Sequence, residues 1–257
     1  MKKVIIIMFL FLVFAGCIRK PQVLYPLDGR NRLRLPEDIT CRYPGAIAHF
    51  NKENYEKAAE LLKKHLRSDP EDIDAMLFLA ECETRLNNNE ESLEFFEDVL
   101  KVRARDRYAL WGTYLVAIKL RRYEKAQALA GRLVKLDPHD IQARIALGNA
   151  FYRGYRFRRC IWEMRKALRF PDPPEMVYNL LGENYYEIGM AEKSEKAYEE
   201  ALKKNPYSVM TREGLAYLKI RMGKPEESLE NYRYVSSHAP RAIHALNVAG
   251  LCLTLLR

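Results

Sequence analysis

A period of 34 residues runs through most of this 257-residue chain and restricts its fold more than any other feature. The clearest copy reads Leu181-Gly182-x-x-Tyr185, followed by Ser194-x-x-x-Tyr198. The pair Leu147-Gly148 holds the same places one period earlier, and Leu215-Ala216 holds them one period later. Counted from residue 39, six units follow one another without an insertion up to residue 242, and a half unit covers residues 243–257.

The pattern inside each unit is typical of two packed helices. A small residue stands at the eighth place, as Gly148 and Gly182 do, and another at the twentieth place, as Ser194 does. Bulky residues surround both places at the i, i+3, i+4, i+7 spacing of a buried helical face. Prolines end several second helices, because proline cannot continue a helix; they are Pro70, Pro138, Pro206 and Pro240. No stretch alternates as a strand does, so we predict an all-α fold.

The spacing and these residue types resemble the tetratricopeptide repeat, whose signature is W-x2-L-G-x2-Y, then A-x3-F, then P. The resemblance covers residues 39–242. It implies a solenoid, a right-handed superhelix of helix-turn-helix repeats with a concave side, because one hairpin cannot bury its apolar face alone. We therefore expect six repeats plus a C-terminal half-repeat helix over residues 243–257.

The N-terminus resembles a bacterial lipoprotein signal. Lys2-Lys3 precede twelve apolar residues, 4–15, which are too few to span a bilayer. Small residues then lead to Cys17, which the resemblance marks as the lipidation site and mature N-terminus. Residues 1–16 would be the signal peptide and 17–38 a lipidated tether. By resemblance to enteric lipoproteins, Ile18 rather than aspartate after the cysteine implies outer-membrane delivery facing the periplasm, in an organism with two membranes. The alternatives are an ordinary cleaved signal with Cys17 incidental, or a cytosolic protein with an apolar tail.

Charge and cysteine content narrow the possible partners. The net charge of +9 would permit nucleic-acid binding, but an exported lipoprotein rarely meets nucleic acid and no recognition motif is present, so we expect none. The basic residues of the tether either lie against anionic head groups or only keep the linker soluble.

Cys41, Cys82, Cys160 and Cys252 stand where other units carry small residues, which predicts buried free thiols.

Nothing in the sequence indicates catalysis. The five histidines do not cluster, and the zinc, serine-hydrolase and phosphate-loop motifs are all missing. His65 matches alanines of other units and is expected to be a partly buried structural residue. We predict no enzyme activity, no cofactor and no metal.

The resemblance implies a binding groove lined by the first helix of each unit. Carried over place by place, it gives Leu77, Glu81, Trp111, Leu115, Ile118, Ile145, Asn149, Tyr152, Asn179, Glu183, Tyr186, Tyr217 and Ile220. The lysine/asparagine/arginine clamp for a C-terminal carboxylate, known in this family, is not matched at these places. Aromatic and aliphatic anchors with scattered polar groups instead suit an apolar peptide or helix. The alternative is that some aromatics, Trp111 among them, pack into the adjacent repeat.

Four first helices end in a cation at the same place: Arg85, Lys119, Arg153 and Arg221. Each is explained singly by the helix dipole, which favours a positive charge at the C-terminus. Together they would also form a basic edge along the groove that attracts an acidic partner.

These features together predict a membrane-anchored scaffold or adaptor that mediates protein-protein interactions in an envelope complex. The resemblance to pilotin-type lipoproteins favours type IV pilus and secretin biogenesis. Adaptors of β-barrel assembly or of peptidoglycan hydrolases, and a periplasmic ligand-binding partner of a transporter, remain alternatives. The C-terminal helix carries apolar residues on two faces, which predicts docking on a partner subunit or self-association.

Overall fold

The computed structural model describes residues 35–238, apart from the side chain of Thr40. This part of the chain contains α-helices and no β-strand, which confirms the all-α prediction. The helices are α1 (Glu37–Arg42), α2 (Pro44–Phe50), α3 (Tyr55–Ser68), α4 (Ile73–Arg85), α5 (Asn89–Val102), α6 (Arg107–Lys119), α7 (Tyr123–Leu136), α8 (Ile141–Arg153), α9 (Phe157–Ala167), α10 (Glu175–Glu187), α11 (Ala191–Lys204), α12 (Val209–Arg221) and α13 (Pro225–His238). Residues 1–34, with Cys17, and the predicted helix at 243–257 lie outside this range.

The helices repeat the sequence period without a change of register. From α4 onward, first helices begin every 34 residues, and second helices do so from α3 onward. The resulting six hairpins form the predicted solenoid. Only the first unit differs, because its first helix is divided into α1 and α2 at Tyr43, directly before Pro44.

Contact between the small residues joins the two helices of a hairpin. The hydroxyl of Ser92 donates to the carbonyl of Ala80 at 2.9 Å, and that of Ser194 donates to the carbonyl of Gly182 at 2.7 Å. A Cβ atom on Gly148 would lie 3.6 Å from the Sγ atom of Cys160, at the twentieth place, and 2.4 Å from the Cε atom of Met164, which would have to move. The predicted pairing of the eighth and twentieth places is therefore confirmed in these units.

Caps and breakers fix the ends of the helices. The side chains of Asp72, Asp106, Asp140 and Ser208 accept hydrogen bonds from the exposed N–H groups that begin α4, α6, α8 and α12. The second helices α3, α7 and α11 end two residues before Pro70, Pro138 and Pro206, as predicted. These boundaries hold each hairpin in the same register as its neighbours.

The first helices line the inner side of the solenoid. In addition to the second helices between them, α4 contacts α6, and α10 contacts both α8 and α12. Polar contacts also join α6 to α8, since Arg107 binds the nearly buried carboxylate of Asp140 and the Tyr114 hydroxyl donates to the carbonyl of Ala146. The first helices are therefore neighbours along one side of the stack.

Three of the four cysteines predicted to be buried free thiols lie in the described range. Cys82 and Cys160 are buried free thiols, as predicted, but Cys41 is exposed. The prediction for Cys41 was wrong because this segment is buried through Ile39 and Tyr43, which leaves the Cys41 side chain uncovered within the described residues. No helix in the described range is long and apolar enough to cross a bilayer.

Candidate protein-binding groove

Two adjoining cavities open along the inner face and share the side chains of Tyr152 and Glu187. The first has a volume of about 460 Å³ and is lined by Ile118, Lys119, Arg121, Tyr123, Tyr152, Arg153, Tyr155, Phe157 and Glu187. The second has about 230 Å³ and is lined by Tyr152, Glu183, Tyr186, Glu187, Tyr198, Met210, Glu213, Gly214 and Tyr217. We call the two together the groove, and the smaller cavity the tyrosine–glutamate pocket.

The structure brings many of the predicted groove residues to this face. Those at the ninth and twelfth places of α6, α8, α10 and α12 are partly exposed: Leu115, Ile118, Asn149, Tyr152, Glu183, Tyr186, Tyr217 and Ile220. Five of them line one or both cavities. The amide of Asn149 donates to the hydroxyl of Tyr114 at 3.3 Å, so Asn149 also links α8 to α6 within the solenoid.

The predicted groove residues at the fifth place are buried instead. Leu77 and Asn179 are each 1% exposed and Trp111 is 2% exposed. The indole of Trp111 packs edge-to-face against Tyr114, with ring centroids 5.6 Å apart. Because adjacent first helices approach each other at this level, the fifth-place side chains of α4, α6, α8 and α10 are enclosed between them, whereas Glu213 of α12 stays partly exposed. The assignment of these residues to a partner-binding surface was therefore wrong, and the alternative of packing into the repeat stack holds for Trp111. Ile145, also at the fifth place, is 8% exposed.

Glu81, at the ninth place of α4, was also assigned to the groove and is buried as well. Its carboxylate lies 2.6 Å from the Nε atom of Arg85, and the Glu81 side chain is 1% exposed. Burial raises the pKa of Glu81 to about 7, although the positive charge of Arg85 acts in the opposite direction. The pair lies within α4, and its burial leaves the Glu81 carboxyl out of reach of a partner.

The four cations of the predicted basic edge do not all lie at the groove. Lys119 and Arg153 are exposed and line the first cavity, where Arg121 adds a third cation. Arg85 is held by Glu81, and the guanidinium of Arg221 lies 5.9 Å from the centre of the Tyr186 ring. The positive charge is therefore concentrated at the first cavity.

Sequence reasoning missed Tyr198, which forms part of the wall of the tyrosine–glutamate pocket. A Cβ atom on Gly182 would lie 2.7 Å from its ring, and one on Gly214 would lie 2.8 Å from its hydroxyl. Both glycines are needed to admit the phenol between α10 and α12. The pattern assigned Tyr198 to the core, and a glycine at the sixth place of α12 was the one available signal.

Burial and neighbouring carboxylates disfavour ionisation of two phenols in the groove. Burial first, and then the carboxylates of Glu183 and Glu187, raise the pKa of Tyr152 to about 12. The pKa of Tyr198 is also well above its usual range for the same reasons. The pKa of Glu183 is raised by burial and by Glu187, while Arg153 lowers it. The groove thus combines neutral aromatic rings with carboxylates.

One group in the described range could present three ligand atoms to a metal ion: His65, Asp69 and Asp72, whose atoms lie within 4.8 Å of one another. Asp72 already caps α4 and accepts a hydrogen bond from the Tyr43 hydroxyl at 2.7 Å. His65 is exposed rather than partly buried, and its Nε2 atom lies 2.8 Å from Asp72. These contacts give the group a structural role at the first two units.

A stack of helical hairpins with an open inner groove defines a scaffold for protein–protein interaction. The chain belongs to the tetratricopeptide repeat family, whose models match residues 49–110, 115–157 and 177–207, just over half of the chain. No curated protein matches the sequence.

Solved structures show the same fold at low sequence identity. A type IV pilus biogenesis factor, PilW, matches with a TM-score of 0.68 and 14% identity over 83% of this chain and 99% of its own. A tetratricopeptide repeat protein from Parabacteroides merdae matches with a TM-score of 0.66 and 14% identity over 85% of this chain and 100% of its own. YrrB, a repeat protein with an unusual peptide-binding site, matches with a TM-score of 0.54 and 15% identity, covering 74% and 97% respectively.

Proposed function

We propose that this chain is a lipid-anchored, non-enzymatic scaffold that holds a protein partner in the groove during assembly of a bacterial envelope complex. The complex that fits best is the machine that builds type IV pili. Three observations support the proposal: the lipoprotein-like N-terminus ending in Cys17, the open groove, and the fold shared with PilW.

The pair of adjoining cavities carries the proposal. Both lie on the inner face, are open to solvent, and are lined by partly buried aromatic side chains from α8, α10 and α12. Tyrosines of this kind supply large contact areas at a low cost in conformational entropy, which makes them frequent anchors of protein interfaces. An extended or helical segment lying along α6 to α12 would contact both cavities at once.

The first experiment tests the groove. The full-length protein is purified from detergent-solubilised envelopes, and the captured partner is identified by mass spectrometry. We expect the variant Tyr152→Ala/Tyr186→Ala to lose the partner, because interface anchors typically contribute about 2 kcal/mol or more each. The matched control is Trp162→Ala/Tyr207→Ala, which removes two rings that are 59% and 78% exposed and line neither cavity.

The identity of the partner separates the pilus machine from the alternatives. A secretin or another pilus-assembly subunit supports the proposal. Capture of β-barrel assembly subunits or of a peptidoglycan hydrolase would contradict the pilus part and leave the scaffold role in place. Equal capture by both double variants would contradict the groove itself.

The second experiment tests the anchor. We expect Cys17→Ala to leave the repeats folded and to release the protein from the membrane fraction, since acyl chains on Cys17 would be the main attachment. The six hairpins together bury their own hydrophobic core within residues 35–238, which supports folding without the anchor. A variant that stays bound to membranes after a high-salt wash would contradict lipidation.

A further inference from the structure

The tyrosine–glutamate pocket differs in chemistry from the first cavity of the groove. Four tyrosines and three glutamates line it, and no lysine or arginine does. With a volume of about 230 Å³, it is smaller than the roughly 300–1,000 Å³ of a site for a whole small molecule. Its dimensions therefore suit one side chain rather than a separate ligand.

Its carboxylates have no counter-ion within the pocket. Among the described residues, Glu183, Glu187 and Glu213 take part in none of the ion pairs that join neighbouring helices elsewhere in the stack. Arg153 is the cation that acts most strongly on Glu183, but it lines the first cavity. The pocket therefore has an excess of negative charge that Arg153 offsets only in part and that a positive group could neutralise.

The wall of the pocket also presents a tyrosine hydroxyl. The side chain of Tyr198 belongs to a residue that is only 3% exposed, and its hydroxyl lies against Gly214 at the pocket lining. In the described range this hydroxyl makes no hydrogen bond. Because this hydroxyl reaches the open pocket without a partner among the described residues, a ligand group that hydrogen-bonds to it would gain binding free energy.

We propose that the tyrosine–glutamate pocket binds the lysine or arginine side chain of a partner segment that lies in the groove. The proposal rests on the proposed function and adds the chemistry of one anchor residue. The rings of Tyr186 and Tyr217 flank the aliphatic stem and face the cation, the three glutamates neutralise it, and the Tyr198 oxygen accepts one of its N–H groups.

The surroundings of Tyr186 agree with this assignment. The guanidinium of Arg221 lies 5.9 Å from the centre of the Tyr186 ring, which is within the roughly 6 Å range of a cation–π contact. Arg221 is itself exposed and does not line the pocket. The ring therefore already attracts a cation from outside, while the pocket beside it is open.

The probe for the test is N-acetyl-lysine methylamide, titrated to millimolar concentrations into the full-length protein in detergent micelles. Tyrosines are replaced biosynthetically by 3-fluorotyrosine, and the fluorine resonances of Tyr186 and Tyr217 are followed by NMR. We expect saturable shifts of both resonances. The neutral analogue N-acetyl-norleucine methylamide has the same stem without the ammonium group and should bind about ten-fold more weakly or not at all.

Three variants locate the effect. Glu183→Gln/Glu213→Gln should weaken binding of the lysine probe by about ten-fold, since it removes two charges and keeps the side-chain shape. Tyr198→Phe should weaken it by a few-fold and leave the fold intact, because the ring stays between the two glycines. Glu199→Gln, on the exposed side of α11, is the control and should change nothing.

The cation pocket can fail while the proposed groove function holds. Equal binding of the lysine and norleucine probes, or no saturable shift with either, would overturn the cation pocket. In that case the Tyr152→Ala/Tyr186→Ala capture experiment still decides whether the groove holds a partner. A loss of lysine binding in Glu199→Gln as large as in the double variant would overturn the location of the site.

Discussion

Trp111 and Tyr152 lie on neighbouring inner helices, but their surroundings assign them different roles. The indole of Trp111 is enclosed between adjacent first helices, whereas the phenol of Tyr152 is partly exposed and belongs to both cavities. At the scale of single residues, the place within the repeat therefore decides whether an aromatic side chain stabilises the stack or is available for binding.

Truncation of these side chains should separate folding from binding. We expect Trp111→Ala to lower the free energy of unfolding by about 3–5 kcal/mol, the usual cost of removing a buried aromatic ring. Tyr152→Ala should cost less than half as much and should act mainly on partner capture. Urea unfolding followed by circular dichroism measures both, with Trp162→Ala as the exposed control. Equal stability of the two tryptophan variants would contradict the burial of Trp111.

The buried carboxyl of Glu81 should make stability depend on pH. Its pKa is about 7 in the folded chain and near the ordinary glutamate value of 4.5 when unfolded. Between these values the native state binds more protons than the unfolded state, so the free energy of unfolding falls as the pH rises. Glu81→Gln removes this dependence.

We therefore expect the stability of Glu81→Gln, relative to the unaltered protein, to increase between pH 5 and pH 8 by up to roughly 3 kcal/mol. Urea unfolding at a series of pH values measures the difference. The exposed Glu199→Gln variant should show no such trend. A constant difference for Glu81→Gln across this range would show that Arg85 keeps the carboxyl charged.

At the scale of elements, the turn between the two helices of each unit repeats a left-handed residue every 34 positions. The residues are Glu53, Asn87, Arg121, Tyr155, Gly189 and Gly223, with φ angles between 57° and 76°. Only the last two are glycines, which adopt this conformation without a steric cost. The first four turns are therefore held by the packing of the helices on both sides.

This turn gives a prediction that depends on the backbone alone. Glu53→Gly should raise the free energy of unfolding by up to about 1 kcal/mol, because it relieves a left-handed conformation at an exposed site. Gly189→Ala should lower it by a similar amount. Thermal unfolding of the two variants measures both changes. Opposite signs are expected, and a loss of stability in Glu53→Gly would contradict the role of the turn.

The sequence predicted the elements well because their causes are local. Small residues at the eighth and twentieth places and prolines after second helices act within one unit. The structure confirms the contacts of Ala80 with Ser92 and of Gly182 with Ser194, and the helix ends before Pro70, Pro138 and Pro206, while Pro240 lies outside the described residues. The left-handed residue was not predictable in the first four units, where Glu53 or Tyr155 gives no glycine signal. Whether a fifth-place side chain is buried, and where the Tyr198 ring packs, depends on the side chains of the next unit. A pattern within one unit does not contain that information.

At the scale of the whole molecule, the stack of hairpins creates a groove with two kinds of charge. Cations from α6, α8 and the turn between α6 and α7 surround the first cavity, and glutamates from α10 and α12 surround the second. Such an arrangement favours one direction for a bound segment, with its acidic part at the first cavity and a basic side chain in the pocket. Aromatic rings line both cavities, and Tyr152 belongs to both, so they would supply contact area along the whole length.

Site-specific photo-cross-linking tests the central claim, that a protein partner lies in this groove, most directly. A photoreactive phenylalanine analogue replaces Tyr152, Tyr186 or Tyr217 in turn, and Trp162 or Tyr207 as controls outside the groove, in cells that assemble the envelope complex. We expect the three groove positions to cross-link to the same partner and the two exposed control positions to give none of that product. Cross-links to that partner from Trp162 or Tyr207, with none from the groove positions, would contradict the account.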